Sequence, residues 1–137
     1  MSISNIVKEV GEKFQYKSDP RFLDYWSVME EKDGKLIGDC DDFALTSIWR
    51  LCGENIIIFI INVMILHRYR IYFAKTVNGV KHAVGYANGM YFDNWTREAL
   101  PKDQFLARTR HKLYFFFPSP FMVLPLVFGF ILRLIRN

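Results

Sequence analysis

The sequence contains a cysteine, a histidine and an aspartate whose positions could create a nucleophilic site. Cys40 lies where a glycine turn ends and an amphipathic helix is predicted to begin. The unsatisfied N–H groups at a helix N-terminus stabilise an anion and therefore favour a thiolate. A nucleophilic cysteine also needs a base and a group that orients the base. The later segment 82–93 supplies both, so we predict that Cys40, His82 and Asp93 form one site.

Two carboxylates beside Cys40 oppose the formation of a thiolate. Asp41 and Asp42 fall in the first turn of the predicted helix, with Asp39 or Cys40 as its cap. Their charges complement the helix dipole, but like charges oppose the formation of a thiolate. We expect the helix dipole and a protonated His82 to outweigh these carboxylates.

A small antiparallel sheet is predicted from residue 69 onward, where the apolar residues recur with a period of two. The strands are predicted at 70–77, 80–87 and 90–95. Type I′ turns are predicted at Asn78-Gly79 and Asn88-Gly89, because an Asn-Gly pair between alternating runs is a strong hairpin signal.

The second of these turns determines which side chains share a face of the sheet. A two-residue loop pairs Ala87 with Met90, and counting back along the strands pairs Val84 with Asp93. His82 lies on the same face as Val84 because strand side chains alternate, so His82 and Asp93 are diagonal neighbours. We expect this face to pack against the helix that begins at Cys40. Its other predicted members are Ile71, Phe73, Tyr86, Tyr91 and Trp95.

Two further helices are predicted before the cysteine. Apolar residues recur at helical spacing over residues 3–14, where Ser4 or Asn5 could cap the helix, and over residues 20–31, where Pro20 occupies the first position. Together with the Cys40 helix packed on an antiparallel sheet, these helices predict an α+β fold.

Residues 55–66 contain twelve consecutive residues without a charge. Twelve residues are too few to span a bilayer, which needs about 20. Two interpretations remain open: a buried segment of the core, or a helix face that rests in a membrane surface.

A second uncharged run covers residues 113–132 and is long enough to be a membrane segment. A helix from 119 to 135 would insert deeply or span, with Tyr114 and the phenylalanine run at the interface. Basic residues are denser before the run than after it, which predicts a cytoplasmic globular part and a preference for anionic lipid. The preceding basic residues are Lys102, Arg108, Arg110 and Lys112.

Composition supports a compact unit followed by a membrane-associated segment. The chain has 137 residues, of which 51% are hydrophobic, and a net charge of +4. We predict a catalytic domain at 1–106 and a basic flank with an apolar segment at 107–137. No stripe of basic and aromatic residues indicates nucleic-acid binding, and no signal peptide is apparent. Cys40 and Cys52 are too far apart on one helix to form a disulfide; Cys52 is predicted in the core, and His67 and His111 at the surface.

The motif Gly-Asp-Cys-Asp-Asp-Phe-Ala at 38–44 precedes a histidine that opens one strand and an Asp-Asn pair that closes the next. This pattern resembles the bacterial transglutaminase-like cysteine peptidases of the papain-like and transglutaminase-like superfamily, over roughly residues 20–95. The resemblance implies that Cys40 is the nucleophile, that His82 is the general base and then the general acid, and that Asp93 orients the imidazole.

The same resemblance implies further assignments. An upstream aromatic residue contributes near the oxyanion in such enzymes, and Trp26 matches it. Some relatives bind calcium through acidic residues beside the cysteine, which here are Asp39, Asp41 and Asp42; otherwise no metal or cofactor is expected.

The expected function is therefore a membrane-associated thiol hydrolase, peptidase or acyltransferase of a bacterium or bacteriophage that acts on an amide bond in a protein or peptide. The hairpin with His82 and Asn88-Gly89 also resembles the NlpC/P60 peptidoglycan peptidases, although their cysteine is usually followed by Ser-Gly rather than Asp-Asp. A further alternative is an inactive membrane-anchored binding protein on the same scaffold.

Overall fold

The computed structural model of the chain describes residues 2–17 and 28–116, together with 131 and 135. Its first half contains α1 (Ile3–Lys13), β1 (Phe14–Tyr16), β2 (Glu31–Lys32), β3 (Lys35–Gly38), α2 (Cys40–Leu51) and α3 (Ile56–Phe59), which continues as a π-helical segment (Ile60–Ile65). The second half contains β4 (Tyr69–Lys75), β5 (Lys81–Ala87), β6 (Met90–Phe92), β7 (Leu100–Pro101), α4 (Lys102–Thr109) and β8 (Lys112–Phe116). This combination of helices and mainly antiparallel strands confirms the α+β class.

Two sheets organise these elements. The larger sheet has the order β7-β6-β5-β4-β8, and each of its neighbouring pairs is antiparallel. The smaller sheet has the order β1-β3-β2, with β1 parallel to β3 and β2 antiparallel to it. The smaller sheet was not predicted, because its strands are only two to four residues long. Residues 18–27, which include most of the second predicted helix, lie outside the described residues.

The predicted register of the second hairpin is confirmed. Ala87 pairs with Met90 and Gly85 with Phe92. Asn88 and Gly89 have φ values of 47° and 87°, as the two central residues of a type I′ turn require. Asp93 therefore directly follows the paired part of β6, as the count from this turn predicts.

The predicted type I′ turn at Asn78-Gly79 is wrong. Lys75 pairs with Lys81, so five residues separate the strands instead of two. The Thr76 hydroxyl accepts a hydrogen bond from the Val80 N–H at 3.2 Å, and the Thr76 N–H donates to the Val80 carbonyl at 2.9 Å. These bonds close a wider loop. Within the Asn-Gly pair of this loop, Gly79 has a left-handed backbone, with φ 75°, and Asn78 does not.

The face of the sheet that packs against α2 is the one opposite to the prediction. Ala83, Ala87 and Phe92 join the buried cluster of α2, whereas Val84 and Tyr91 pack with Phe105 of α4 on the other side. Small side chains at alternate positions of β5 let the helix approach closely. At Gly85 a Cβ atom would lie 2.1 Å from the ring of Phe92, its partner on β6, so the Phe92 ring fills the space that a side chain would need. Because the wider first hairpin pairs Ile71 with Gly85 instead of Tyr86, Ile71 and Phe73 contact the α2 cluster while Tyr86 and Tyr91 do not. His82 shares the face of Val84, which is the one opposite to α2.

The first helix is confirmed with a different cap. The Ser2 hydroxyl, rather than Ser4 or Asn5, caps α1 by accepting a hydrogen bond from the Asn5 N–H at 3.2 Å. The buried residues Val7 and Val10 belong to the same core cluster as Phe43 of α2. Helix α1 therefore supports the back of the helix that starts at Cys40.

The buried-core interpretation of residues 55–66 is wrong. Phe59 and Val63 are buried, and Phe59 packs edge-on against Trp49 with ring centroids 5.8 Å apart. These two residues fix one side of α3 and the π-helical segment to α2. Most other apolar residues of the segment are exposed, by 65% at Ile57 and Ile65. The exposed set is Ile56, Ile57, Ile58, Ile60, Ile61, Met64, Ile65 and Leu66; we call it the 56–66 surface.

The predicted C-terminal apolar helix is not supported. The start of the uncharged run forms β8, which pairs antiparallel with β4, and residues 117–130 lie outside the described residues. Within the described ranges no single helix has the length and hydropathy needed to cross a membrane. Helix α2 and the helical segment 56–65 meet both criteria only together, and they are bent by 111° with respect to each other.

Candidate active site

Cys40 is the first residue of α2, and a reciprocal cap fixes its position. The Asp39 carboxylate accepts a hydrogen bond from the Asp42 N–H at 3.2 Å, while the Asp42 carboxylate accepts one from the Asp39 N–H at 3.3 Å. This capping box satisfies two otherwise unpaired N–H groups at the helix start. The prediction that the helix begins at this cysteine is confirmed, with Asp39 as the N-cap.

The surroundings of Cys40 favour the neutral thiol. Burial raises the pKa of the Cys40 thiol well above its ordinary value, and the carboxylates of Asp41 and Asp39 raise it further. Hydrogen bonds from the backbone N–H groups of Ala83 and Asp41 lower it only in part. The thiol itself donates to the Asp41 carboxylate across 3.9 Å. The expected balance in favour of a thiolate is therefore not found, and a base must remove the proton when the sulfur reacts.

His82 and Asp93 form the hydrogen bond that their predicted register allows. His82 Nε2 lies 2.8 Å from Asp93 Oδ2. Both side chains are buried, with 5% and 0% of their surfaces exposed. His82 immediately precedes Ala83, whose backbone N–H lowers the pKa of the Cys40 thiol. The hydrogen bond to Asp93 occupies Nε2, so Nδ1 is the ring nitrogen that this bond leaves available.

Asp93 is held as an anion by four hydrogen bonds. Its Oδ1 accepts from the backbone N–H groups of Trp95, at 3.1 Å, and Thr96, at 2.8 Å. Its Oδ2 accepts from the imidazoles of His82 and His111, at 2.8 Å each. Burial opposes ionisation, but the hydrogen bonds from His111, His82 and Thr96 outweigh it and hold the pKa of Asp93 well below its usual range.

His111 is the member of this cluster that the sequence did not predict. It was expected at the surface, but its side chain is completely buried. Helix α4 ends at Arg110 with a left-handed φ of 57°, and the Thr109 hydroxyl accepts a hydrogen bond from the His111 N–H at 3.3 Å. After this turn His111 directly precedes β8, and its imidazole reaches Asp93. No local sequence pattern indicates that His111 is buried beside Asp93, because its position depends on the pairing of β8 with β4, which joins residues about 40 positions apart.

A cleft of about 370 Å³ opens beside the site. Cys40 and His82 both line it, together with Tyr16, Lys81 and Trp95. The Trp95 ring lies 5.5 Å from the His82 ring and 4.7 Å from the His111 ring, so it covers the two imidazoles and is half exposed itself. The cleft therefore gives a substrate access to both the thiol and the histidine.

Several other predicted residues lie elsewhere. Cys52 is buried in the core as predicted, and burial raises the pKa of its thiol to about 11. Cys40 and Cys52 are both free. His67 is partly buried after the π-helical segment, where its carbonyl accepts a hydrogen bond from Arg70. Trp26, the predicted oxyanion residue, lies outside the described residues.

Two groups of side chains could hold a cation. The potential ligand atoms of His82, Asp93 and His111 all lie within 4.8 Å of one another, although direct hydrogen bonds already account for this cluster. The second group is Asp39, Asp41 and Asp42, whose carboxylate oxygens are the hard ligands that calcium prefers.

Comparison with solved structures finds a similar fold in LapG of Legionella pneumophila, a bacterial transglutaminase-like cysteine peptidase. The identity is 20%, the TM-score is 0.53, and the match covers 86% of this chain and 66% of LapG. Calcium-bound LapG matches at 19% identity and a TM-score of 0.53, covering 86% and 66% of the two chains. EGTA-treated LapG matches at 20% identity and a TM-score of 0.52, covering 85% and 63%. No family model and no curated protein sequence matches this chain.

The similarity to LapG shows a shared fold. This chain spans slightly less than two thirds of the length of LapG. At 20% identity the match concerns the fold alone and assigns no family.

Proposed function

We propose that this protein is a cysteine peptidase of the transglutaminase-like type, with Cys40 as nucleophile, His82 as general base and acid, and Asp93 as orienting residue. One observation carries the proposal. The hydrogen-bonded pair of His82 and Asp93 lies beside a cleft that is also lined by a cysteine at a helix N-terminus. A buried carboxylate, an imidazole and a thiol in this order are the components of an acyl-transfer site.

The proposed reaction begins with the neutral thiol. As Cys40 Sγ attacks the carbonyl carbon of an amide, His82 Nδ1 takes the thiol proton and the carbonyl π electrons move to the oxygen. The anionic Asp93 stabilises the resulting imidazolium through Nε2–H. The tetrahedral intermediate then collapses, the C–N bond breaks, and His82 protonates the leaving amine. A thioester on Cys40 remains, and water or a second amine attacks it with His82 again acting as base.

Alkylation of Cys40 by iodoacetamide tests this assignment without a known substrate. The rate is measured as a function of pH, and peptide mapping distinguishes Cys40 from the buried Cys52. His82→Gln is expected to slow alkylation near neutral pH by about tenfold or more, because the general base is lost. His67→Gln is the matched control and should leave the rate unchanged. If both variants react like the wild type, His82 does not activate the thiol and the proposal fails.

The two possible fates of the thioester can be separated with an unfolded protein substrate. We expect new N- and C-termini in the absence of added amine, and incorporation of a primary amine if transfer competes with hydrolysis. Both products should be absent in Cys40→Ala. A biological activity that survives Cys40→Ala intact would instead favour a non-enzymatic binding protein on this scaffold.

We further propose that calcium binds beside the nucleophile. The carboxylates of Asp39, Asp41 and Asp42 supply oxygen ligands within four residues, and the capping box orients two of them. A bound cation would offset the negative charge that raises the pKa of Cys40. Calcium should therefore accelerate alkylation of the wild type relative to EGTA. The acceleration should be smaller in Asp41→Asn, and equal rates in calcium and EGTA would contradict the proposal.

The 56–66 surface supports a proposal that the protein associates with membranes, with its globular part on the cytoplasmic side. Eight large apolar side chains are exposed on one uncharged segment, and the exposed Arg68 follows it. Such a surface favours burial at the interface of an anionic bilayer. The apolar run 113–135 is the second proposed contact with lipid.

Flotation with vesicles that contain phosphatidylglycerol tests this surface. Ile57→Asp combined with Ile65→Asp should reduce the bound fraction, because each charge would have to enter the interface. Val77→Asp changes an equally apolar, 60% exposed side chain in a loop and is the control. Equal flotation of all three proteins would exclude the 56–66 surface as the contact. Labelling of Cys40 with a membrane-impermeant maleimide only after cell lysis is expected for a cytoplasmic site.

A further inference from the structure

The buried His111 forms a hydrogen bond that serves the proposed catalytic pair. Its Nε2 lies 2.8 Å from Asp93 Oδ2, the same oxygen that accepts the hydrogen bond of His82. An ionised carboxylate only accepts hydrogen bonds, so both histidines must carry a hydrogen on Nε2. The two imidazole rings lie 4.6 Å apart and meet at a single oxygen atom.

The environment of the other ring nitrogen of His111 indicates that a histidine is required at this position for its Nε2–H hydrogen bond. Nδ1 of His111 is buried and has no hydrogen-bond partner among the described residues. A buried polar atom without a partner is unfavourable. The ring packs between Trp95 and Phe105, with ring centroids at 4.7 Å and 5.9 Å. A phenylalanine would fill this space without that penalty, so the Nε2–H donor distinguishes His111 from a simple packing residue.

His111 does not line the cleft that holds Cys40 and His82. Its hydrogen bond to the site is the one to Asp93, in addition to ring contacts with His82 and Trp95. The Oδ1 atom of Asp93 is fixed by two backbone N–H groups, which leaves rotation about the side-chain bonds to be restrained at Oδ2. A second donor at Oδ2 provides that restraint independently of His82, which is the group that must change its protonation during the reaction.

We propose that His111 is a positioning residue: its Nε2–H holds the Asp93 carboxylate where Oδ2 orients His82. This inference rests on the proposed function of His82 as the base for Cys40. Asp93 thereby keeps His82 as the Nε2–H tautomer, whose Nδ1 lone pair is the acceptor that the proposed mechanism needs for the thiol proton. The charged groups near the site are Asp93, which is hydrogen-bonded to His82, Lys81, which lines the cleft with it, and Asp39 and Asp41, which lie near Cys40.

The first test is nitrogen-15 NMR of the histidine rings in the wild-type protein. Both His82 and His111 should be Nε2–H tautomers at neutral pH. In His111→Phe, which keeps an aromatic ring but loses the donor, the fraction of His82 in this tautomer should fall. In His111→Gln, whose amide N–H can replace the donor, it should be retained. An Nδ1–H tautomer of His111 in the wild type would overturn the proposal even if no variant folds.

The second test is the pH dependence of Cys40 alkylation in the same three proteins. His111→Phe should lower the His82-dependent rate by about tenfold, as expected for the loss of one hydrogen bond to a charged group. His111→Gln should recover most of that loss. An unchanged rate in His111→Phe, or equal losses in both variants, would show that His111 only fills space.

The two tests can fail independently of each other. If the alkylation rate of Cys40 is the same in the wild type and in His82→Gln, the proposed function fails, while the tautomer measurement still shows whether His111 positions Asp93. The zinc content of the purified wild type and of His111→Phe is a third measurement. Stoichiometric zinc that is present in the wild type and absent from His111→Phe would identify His111 as a metal ligand and would overturn its positioning role.

Discussion

Replacement of Asp93 by asparagine is the sharpest perturbation of this site. The substitution conserves shape but removes the charge that accepts hydrogen bonds from two imidazoles and two backbone N–H groups. An asparagine can keep its carbonyl oxygen toward the N–H groups of Trp95 and Thr96. Its NH₂ group then faces His82 and His111, which also present N–H donors. The histidines must lose these hydrogen bonds or change tautomer.

The expected magnitude follows from these contacts. Each hydrogen bond to a buried charged group contributes about 1.5–3 kcal/mol. A change of tautomer in His82 or His111 would restore part of the lost hydrogen bonding. The expected loss of unfolding free energy is therefore about 2–4 kcal/mol. In the proposed mechanism, the change of tautomer also places a hydrogen on Nδ1 of His82, where a lone pair is needed to take the thiol proton. A wrong tautomer of this kind lowers activity by roughly 10²- to 10⁴-fold.

Two measurements test the reasoning. Urea unfolding followed by tryptophan fluorescence gives the change in unfolding free energy, and alkylation of Cys40 gives the change in reactivity. Asp103→Asn, at an exposed position in the first turn of α4, is the control for the loss of one carboxylate. The argument is refuted if Asp93→Asn costs no more stability than Asp103→Asn and leaves alkylation as fast as in the wild type.

Three other predictions follow from the same contacts. Gly85→Ala should destabilise the protein by about 1–3 kcal/mol in urea unfolding, because the added methyl group would overlap the Phe92 ring; an unchanged midpoint would contradict the close approach. Asp41→Asn should move the onset of Cys40 alkylation to lower pH, because the Asp41 carboxylate raises the pKa of the thiol; no movement would show that this charge is screened. The hydrogen bonds that lower the pKa of Asp93 stabilise the fold fully above about pH 4, the ordinary value for an unfolded aspartate, and this stabilisation is lost as the pH falls further. The decline of unfolding free energy between about pH 4 and pH 2 should therefore be smaller in Asp93→Asn, and equal declines would contradict the role of Asp93.

The parts of the site that the sequence predicts are those determined by local geometry. The start of α2 depends on a cap between residues three positions apart, Asp39 and Asp42. The hydrogen bond between His82 and Asp93 depends on one hairpin, whose Asn-Gly turn sets the register. Both features follow from turn and capping chemistry within about a dozen residues.

The parts that the sequence does not predict depend on contacts between distant segments. The register of a strand determines which side chains share a face, but not which face receives a helix. Ala83 and Ala87, rather than Val84 and Tyr91, therefore face α2. The wider first hairpin also shifts β4 by one position, so Ile71 pairs with Gly85 and shares the face of Ala83 instead of that of Tyr86. His111 reaches Asp93 only because β8 is added beside β4. An apolar run such as 55–66 likewise has the same composition whether it is buried or exposed.

The distribution of charge in the site determines when the nucleophile can form. Four hydrogen bonds stabilise the negative charge of Asp93, whereas burial and two neighbouring carboxylates disfavour a negative charge on Cys40. The anion of the resting site is therefore Asp93, and the sulfur keeps its proton. In the proposed mechanism, a substrate carbonyl in the cleft supplies an atom to which negative charge can move as His82 takes the proton. Proton transfer to His82 then accompanies attack by the sulfur, so loss of His82 should slow every reaction of the thiol at neutral pH, including alkylation.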